Sequence, residues 1–176
     1  AGYICGSLDD PDLWWHITIG RWIIAHAQVP HVDYWTLFGQ GHPWRAYSWS
    51  MEVLFALTER AFGLTGLVWF RIFMTMALAF SAQYVFVTLS RSLGCGSLLA
   101  ALYTVSCFNH ITLRPQTFIW MLFLWLLLTA HEISEDGLTR PRMLRLALLM
   151  CLWANIHLSA ILGLALVFAW ICRPGE

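Results

Sequence analysis

LTGLVWFRIFMTMALAFSAQYVFVTL, residues 64–89, is a 26-residue run that contains one charged side chain, Arg71. About 20 apolar residues cross a bilayer core of roughly 30 Å, so this stretch predicts a membrane span. The composition agrees: 59% of residues are hydrophobic, 11% are charged, and mean hydropathy is +0.64. Soluble domains carry roughly 25% charged residues, so an integral membrane protein is expected.

Working outward, Cys95 to Leu113 is a second apolar run that ends in Asn109, His110 and Arg114. Pro115 to His131 is a third. Leu144 to Cys172 reads either as one long tilted helix or, the favoured reading, as two short helices meeting at Trp153-Ala154-Asn155-Ile156-His157. Such a broken pair must be packed inside protein, because lipid does not satisfy exposed backbone. The expected fold class is therefore all-α: a transmembrane bundle of about four to five helical segments over 64–176, preceded by a long outer loop over 1–63.

All ten basic residues are arginine, and ten acids balance them. There is no basic field to attract nucleic acid, which is excluded as a partner. Short cytoplasmic loops collect basic residues, so Arg91, the Arg140/Arg142/Arg145 group and Arg173 mark the cytoplasmic side. The loop 7–63, the turn from Asn109 to Arg114, and Asn155 with His157 then share the outer side. A loop placed outside needs a preceding span, so the chain is read as part of a longer polytopic protein, with Ala1 to Gly6 as the tail of a missing helix. Five cysteines, at 5, 95, 107, 151 and 172, lack metal or disulfide-framework spacing.

Within the loop, Asp12 to Ala27 and Ser48 to Phe62 read as two amphipathic helices lying in the membrane interface. The segment between them carries Pro30, Gly39, Gly41 and Pro43 as breakers. Ser48, Glu52 and Glu59 fall on one face of the second helix. The string Asp9-Asp10-Pro11-Asp12-Leu13-Trp14-Trp15-His16 starts the first. Asp10 as N-cap, Pro11 in the first turn and Asp12 beside the helix dipole account for it structurally. A carboxylate there can also take a proton from an attacking hydroxyl. Trp14 and Trp15 offer faces for a sugar ring or act as interfacial anchors.

His16 lies four residues after Asp12 and shares its face. No H-x-x-x-H or comparable spacing accompanies it, so no metal is expected, and no cofactor is specified. Arg114 on the outer side could pair with a phosphate. Arg71, costly in hydrocarbon, has Glu52 and Glu59 as candidate partners. Asn155 and His157 are candidate ligand contacts.

The order Asp-Pro-Asp-Leu-Trp-Trp-His, then Gly20, Ile24, Val29-Pro30, Asp33, Gly41-His42-Pro43-Trp44, Trp49 and Glu52-Val53, followed by Arg114-Pro115 and Trp153 to His157, resembles a group of bacterial membrane proteins. That group in turn resembles the C-type glycosyltransferases of the dolichyl-phosphate-mannose-protein mannosyltransferase type, over nearly the whole chain. The resemblance implies a multi-pass protein of the bacterial inner membrane with two juxtamembrane helices in a periplasmic loop. It also implies a polyprenyl-phosphate-linked sugar donor, with surrounding membrane lipids as the other partner. The mannosyltransferase type carries an adjacent Asp-Glu pair; here Asp10 and Asp12 match, separated by Pro11, and either is the candidate base. Substrate contacts are then expected from Trp14, Trp15, His16, Glu52, Arg114, Asn155 and His157. The alternative class is a non-catalytic subunit of a larger membrane complex, with a haem or chlorophyll on a histidine. A transporter is a third option, suggested by the break near Asn155.

Overall fold

The computed structural model describes residues 8, 10–108 and 112–171. Asp9, Asn109, His110, Cys5, Cys172 and Arg173, and the expected helix tail over Ala1 to Gly6, lie outside the described residues. Among the described residues six helices follow one another: α1 Pro11–His26, α2 Trp49–Ser90, α3 Leu93–Phe108, α4 Pro115–Asp136, α5 Arg140–Ile156 and α6 Ala160–Ile171. Among the described residues the one β contact is an isolated bridge between Val32 and Pro43. The fold is all-helical.

Helix α1 starts as its local chemistry dictates. Asp10 is the N-cap in extended backbone, its Oδ1 accepts the Asp12 N–H at 3.1 Å, and Pro11 fills the first turn, where no donor is needed. The helix lies along the first half of α2 in the same direction, so His16 meets Glu52 and Arg21 meets Glu59. Leu13 and Ile17 pack in one core with Met51, Phe55, Leu126 and Trp153. The approach is close enough to require glycine. A Cβ on Gly20 would stand 1.9 Å from the Glu52 carbonyl oxygen.

The segment between α1 and α2 is more ordered than its breakers suggest. Asp33 N–H donates to the His42 carbonyl at 2.9 Å, and Trp44 N–H to that of His31 at 2.8 Å. The Asp33 carboxylate accepts the backbone N–H groups of Trp35 and Thr36 and the Thr36 hydroxyl. Trp15 packs edge-on to Trp35 and Trp44 at 6.0 and 5.6 Å, and Trp22 stacks on Tyr34 at 5.2 Å. These aromatics fold the segment back over α1.

Helix α2 breaks at Gly63, whose φ of 64° and ψ of −162° only glycine adopts readily. The break separates the part packed on α1 from the apolar run over 64–89. Helices α2 and α4 are each long and apolar enough to cross a membrane. Beyond the break, Leu78, Ala82 and Val85 pack with Ala100, Leu124 and Leu128 in a second core. The opposite face of α2 presents Trp69, Phe73, Met76, Phe80 and Tyr84, all more than half exposed. Between α5 and α6, residues 157–159 are non-helical.

The two ends of α4, roughly 33 Å apart at 1.5 Å per residue, differ in chemistry. At its C-terminal end Arg91 pairs with Glu135, Arg142 with Asp136 and Glu132, and Arg145 with Glu132. At its N-terminal end Arg114 meets α1. Arg71 is buried beside Arg114, Thr112 and Thr117. Its two candidate partners also meet α1: Glu52 contacts His16, and Glu59 pairs with Arg21.

Two glycine substitutions separate backbone strain from packing. Gly63→Ala has open space around its new Cβ, so it should cost only the strained backbone, about 1–3 kcal/mol. Gly20→Ala drives a methyl into the Glu52 carbonyl and should lower the melting temperature further by unseating α1. Thermal unfolding of the two purified variants checks the order; a milder effect at Gly20 would contradict the close α1–α2 contact.

Candidate functional site

Arg114 precedes Pro115, which disfavours helical backbone at the residue before it, and its φ of −117° and ψ of 151° keep it outside α4. From there its side chain reaches the start of α1. Nε donates to Asp10 Oδ2 at 2.6 Å and Nη2 to Asp10 Oδ1 at 2.9 Å, a fork-on-carboxylate pair. Nη2 also lies 3.0 Å from Asp12 Oδ2. The cap and first-turn positions thus bring both carboxylates to one guanidinium despite the proline between them.

The two carboxylates differ in exposure. The Asp10 side chain is 9% exposed and that of Asp12 55%. Burial pushes the Asp10 pKa up, but hydrogen bonds from Arg114 and from the Asp12 N–H outweigh it, and the carboxyl titrates below its ordinary value. Asp10 is therefore a held anion and a weak base. Asp12 faces solvent beside it, with one contact to the same cation.

One turn along α1, His16 Nδ1 sits 3.2 Å from Glu52 Oε1. Glu52 is buried, and its second oxygen, Oε2, has no hydrogen-bond partner among the described residues. His157 belongs to the same end of the molecule. Burial lowers its pKa, and the nearby His16 lowers it further. The Ser159 N–H donates to His157 Nδ1 at 3.1 Å, which leaves Nε2 as the protonated nitrogen of the neutral ring. Tyr47 stands edge-on to that ring at 5.9 Å.

Other expected site residues have structural employment. The Asn155 Oδ1 accepts from Trp49 Nε1 at 3.0 Å, its Nδ2 donates to the Cys151 carbonyl at 2.8 Å, and its own carbonyl accepts from Ser50. It ties the end of α5 to the start of α2. Trp15 is part of the aromatic packing over α1, whereas Trp14 is 45% exposed. Sequence reasoning missed Tyr47, and it missed the Arg21–Glu59 pair, bonded through Nη2 at 2.7 Å. A usable signal for that pair existed: a base at 21 and a histidine at 16 on α1, facing acids at 59 and 52. Among the described residues no group of three His, Cys, Asp or Glu side chains is placed to hold a metal.

The site should register in the pH dependence of stability. A histidine whose folded pKa is depressed is protonated more readily in the unfolded chain, so stability falls as pH drops below the ordinary value of 6.5. His157→Gln should flatten that limb. Asp10, also depressed, contributes stability above its ordinary value of 3.8 that is lost as pH falls further. Melting temperatures recorded from pH 8 to pH 3 should show both limbs, and Asp10→Asn should weaken the lower one. Arg114→Gln leaves Asp10 buried without its cation and should cost about 1–2 kcal/mol, discounted because the arginine is itself partly exposed.

Compared with known proteins, the chain matches no family model, no curated protein and no solved structure, so the bearing on function comes from these residues themselves.

Proposed function

We propose that this chain belongs to a multi-pass protein of the bacterial inner membrane that transfers a sugar from a polyprenyl-phosphate donor to a hydroxyl acceptor on the periplasmic face. The membrane placement is supported by the two long apolar helices and by a reversed distribution of polarity. Large apolar side chains lie outside on α2, while Arg71, Ser81, Thr117 and Thr129 lie inside. Intramembrane polar groups facing a bundle interior are the pattern expected in lipid. On this reading α1 and residues 49–62 of α2 are the juxtamembrane helices of an outer loop, and membrane lipids surround the bundle.

The observation that carries the transferase reading is the capture of Asp10 and Asp12 by Arg114 at the outer end of α4. Asp12, exposed, accepts the proton of the acceptor hydroxyl as its oxygen attacks the anomeric carbon. The bond from that carbon to the phosphate oxygen breaks, and the polyprenyl phosphate departs with the electron pair. Asp10 and Arg114 hold Asp12 in position. Because Arg114 already serves two carboxylates, its role is that of a clamp rather than of a free phosphate ligand. Nucleotide is not required, and nucleic acid has no place in the scheme.

The saturation of Asp10 by its cap and its ion pair favours one other reading, a non-catalytic subunit whose α1 is stapled to a membrane bundle. Copurification with other membrane chains at fixed stoichiometry would mark that role. The transferase reading is tested in membranes supplied with undecaprenyl-phosphate-linked sugar, by following release of undecaprenyl phosphate. Asp12→Asn should slow release by about 10²-fold or more. Asp10→Asn should slow it less and lower stability. Wild-type rates in both variants would remove the proposed base.

A further inference from the structure

Leu37 and Phe38 stand at the tip of the turn between α1 and α2, and they are the most exposed large apolar side chains among the described residues, at 84% and 93%. Hydrogen bonds hold the turn behind them. The buried Asp33 carboxylate accepts the N–H groups of Trp35 and Thr36 at 2.8 and 3.0 Å, and the Thr36 hydroxyl oxygen accepts the Gly39 N–H at 3.1 Å. The Gly41 N–H closes the turn on the Asp33 carbonyl at 2.9 Å. A Cβ on Gly39 would collide with the Asp33 carboxylate and the Thr36 hydroxyl, so the sequence supplies the residue that lets the turn close this tightly. Two large apolar groups are thus held outward, where water is a poor solvent for them.

Charge, area and position select what covers the tip. Residues 34–44 contain no Asp, Glu, Lys or Arg, so the turn has no charge to offer a partner or to keep it out of hydrocarbon. Even at about 200 Å² apiece, two side chains give only half of the roughly 800 Å² that each partner contributes to a stable protein interface. A lipid surface has no such minimum. Tyr34 stacks on Trp22 at 5.2 Å, the neighbouring Arg21 holds Glu59, and Glu59 lies one turn before the Gly63 break from which the apolar run over 64–89 departs. Three and four residues past Tyr34, the tip is within about 14 Å of it. Aromatic side chains therefore back an apolar tip at the end of α1 where the span begins, and Trp and Tyr are the side chains that favour the headgroup level of a bilayer.

We propose that the 36–41 turn is a lipid-facing tip, with Leu37 and Phe38 seated in the outer leaflet of the bilayer and Tyr34 with its neighbouring tryptophans behind them at headgroup level. The inference rests on the membrane placement and is independent of sugar transfer.

Photo-crosslinking of the full chain tests it, in vesicles of phosphatidylethanolamine and phosphatidylglycerol. One variant carries p-benzoylphenylalanine in place of Phe38, and a second carries it in place of Phe73 on the exposed face of α2. Mass spectrometry identifies what each probe captures. Both positions should yield lipid adducts, and adding Leu37→Asp should reduce the adduct at 38 several-fold while leaving that at 73 unchanged, because a carboxylate resists entry into hydrocarbon. Leu37 is exposed, so this change removes no core contact. If position 73 captures lipid while position 38 captures a polypeptide or nothing, the tip faces protein or water and the proposal fails alone. An adduct at 38 that is indifferent to Leu37→Asp also overturns it. If neither position captures lipid, the membrane placement and the lipid-facing tip fail together.

Discussion

The close contact of α1 with α2 at Gly20 is the constraint from which the polar end of the molecule follows. With no Cβ at that position the α1 backbone comes against the Glu52 carbonyl. At that distance His16 reaches Glu52, and Arg21 reaches Glu59. The start of α1 is then carried to the end of α4, where Arg114 closes on both aspartates. A larger residue at position 20 would spread the helices and lengthen each of these contacts together. The ion pairs therefore do not hold α1 in place so much as register the placement that apolar packing and a glycine have already set. Leu13, Ile17, Met51 and Phe55, all nearly inaccessible, supply that packing.

Local features of this architecture were readable from residues alone. The cap, proline and first-turn acid of Asp10-Pro11-Asp12 specify a helix start through short-range chemistry, and α1 begins there. An all-helical chain with long apolar segments was equally plain in its composition and periodicity. Long-range pairings were not. Glu52 and Glu59 are candidate partners of Arg71 because all three lie on the same stretch of chain. Sequence spacing carries no information about α1 arriving on their face, and α1 brings His16 and Arg21 to them. Likewise the breakers over 28–47 suggested a turn but concealed the Asp33 hydrogen bonds and the Trp15, Trp35 and Trp44 packing, which join residues up to 29 positions apart.

Charge balance at the α4 start bears on how Arg114 can act. Its Nε and Nη2 already serve Asp10 and Asp12, and a second guanidinium, Arg71, is buried beside it. Two cations thus stand against the two aspartates, and Arg114 acts first as the clamp that fixes the start of α1.

On the proposed transfer, the contacts of the two similar side chains make Asp12 the base and Asp10 the anchor. Asp10 spends both oxygens on Arg114 and its lone pairs also on the Asp12 N–H, so protonating it breaks several charge-assisted bonds at once. Asp12 gives up a single contact when it takes a proton, and the product stays solvated. Proline between them sharpens the difference. By fixing the first turn it holds Asp10 at the cap, inward, and Asp12 a residue into the helix, outward, which turns a sequence neighbour pair into one structural anion and one available one.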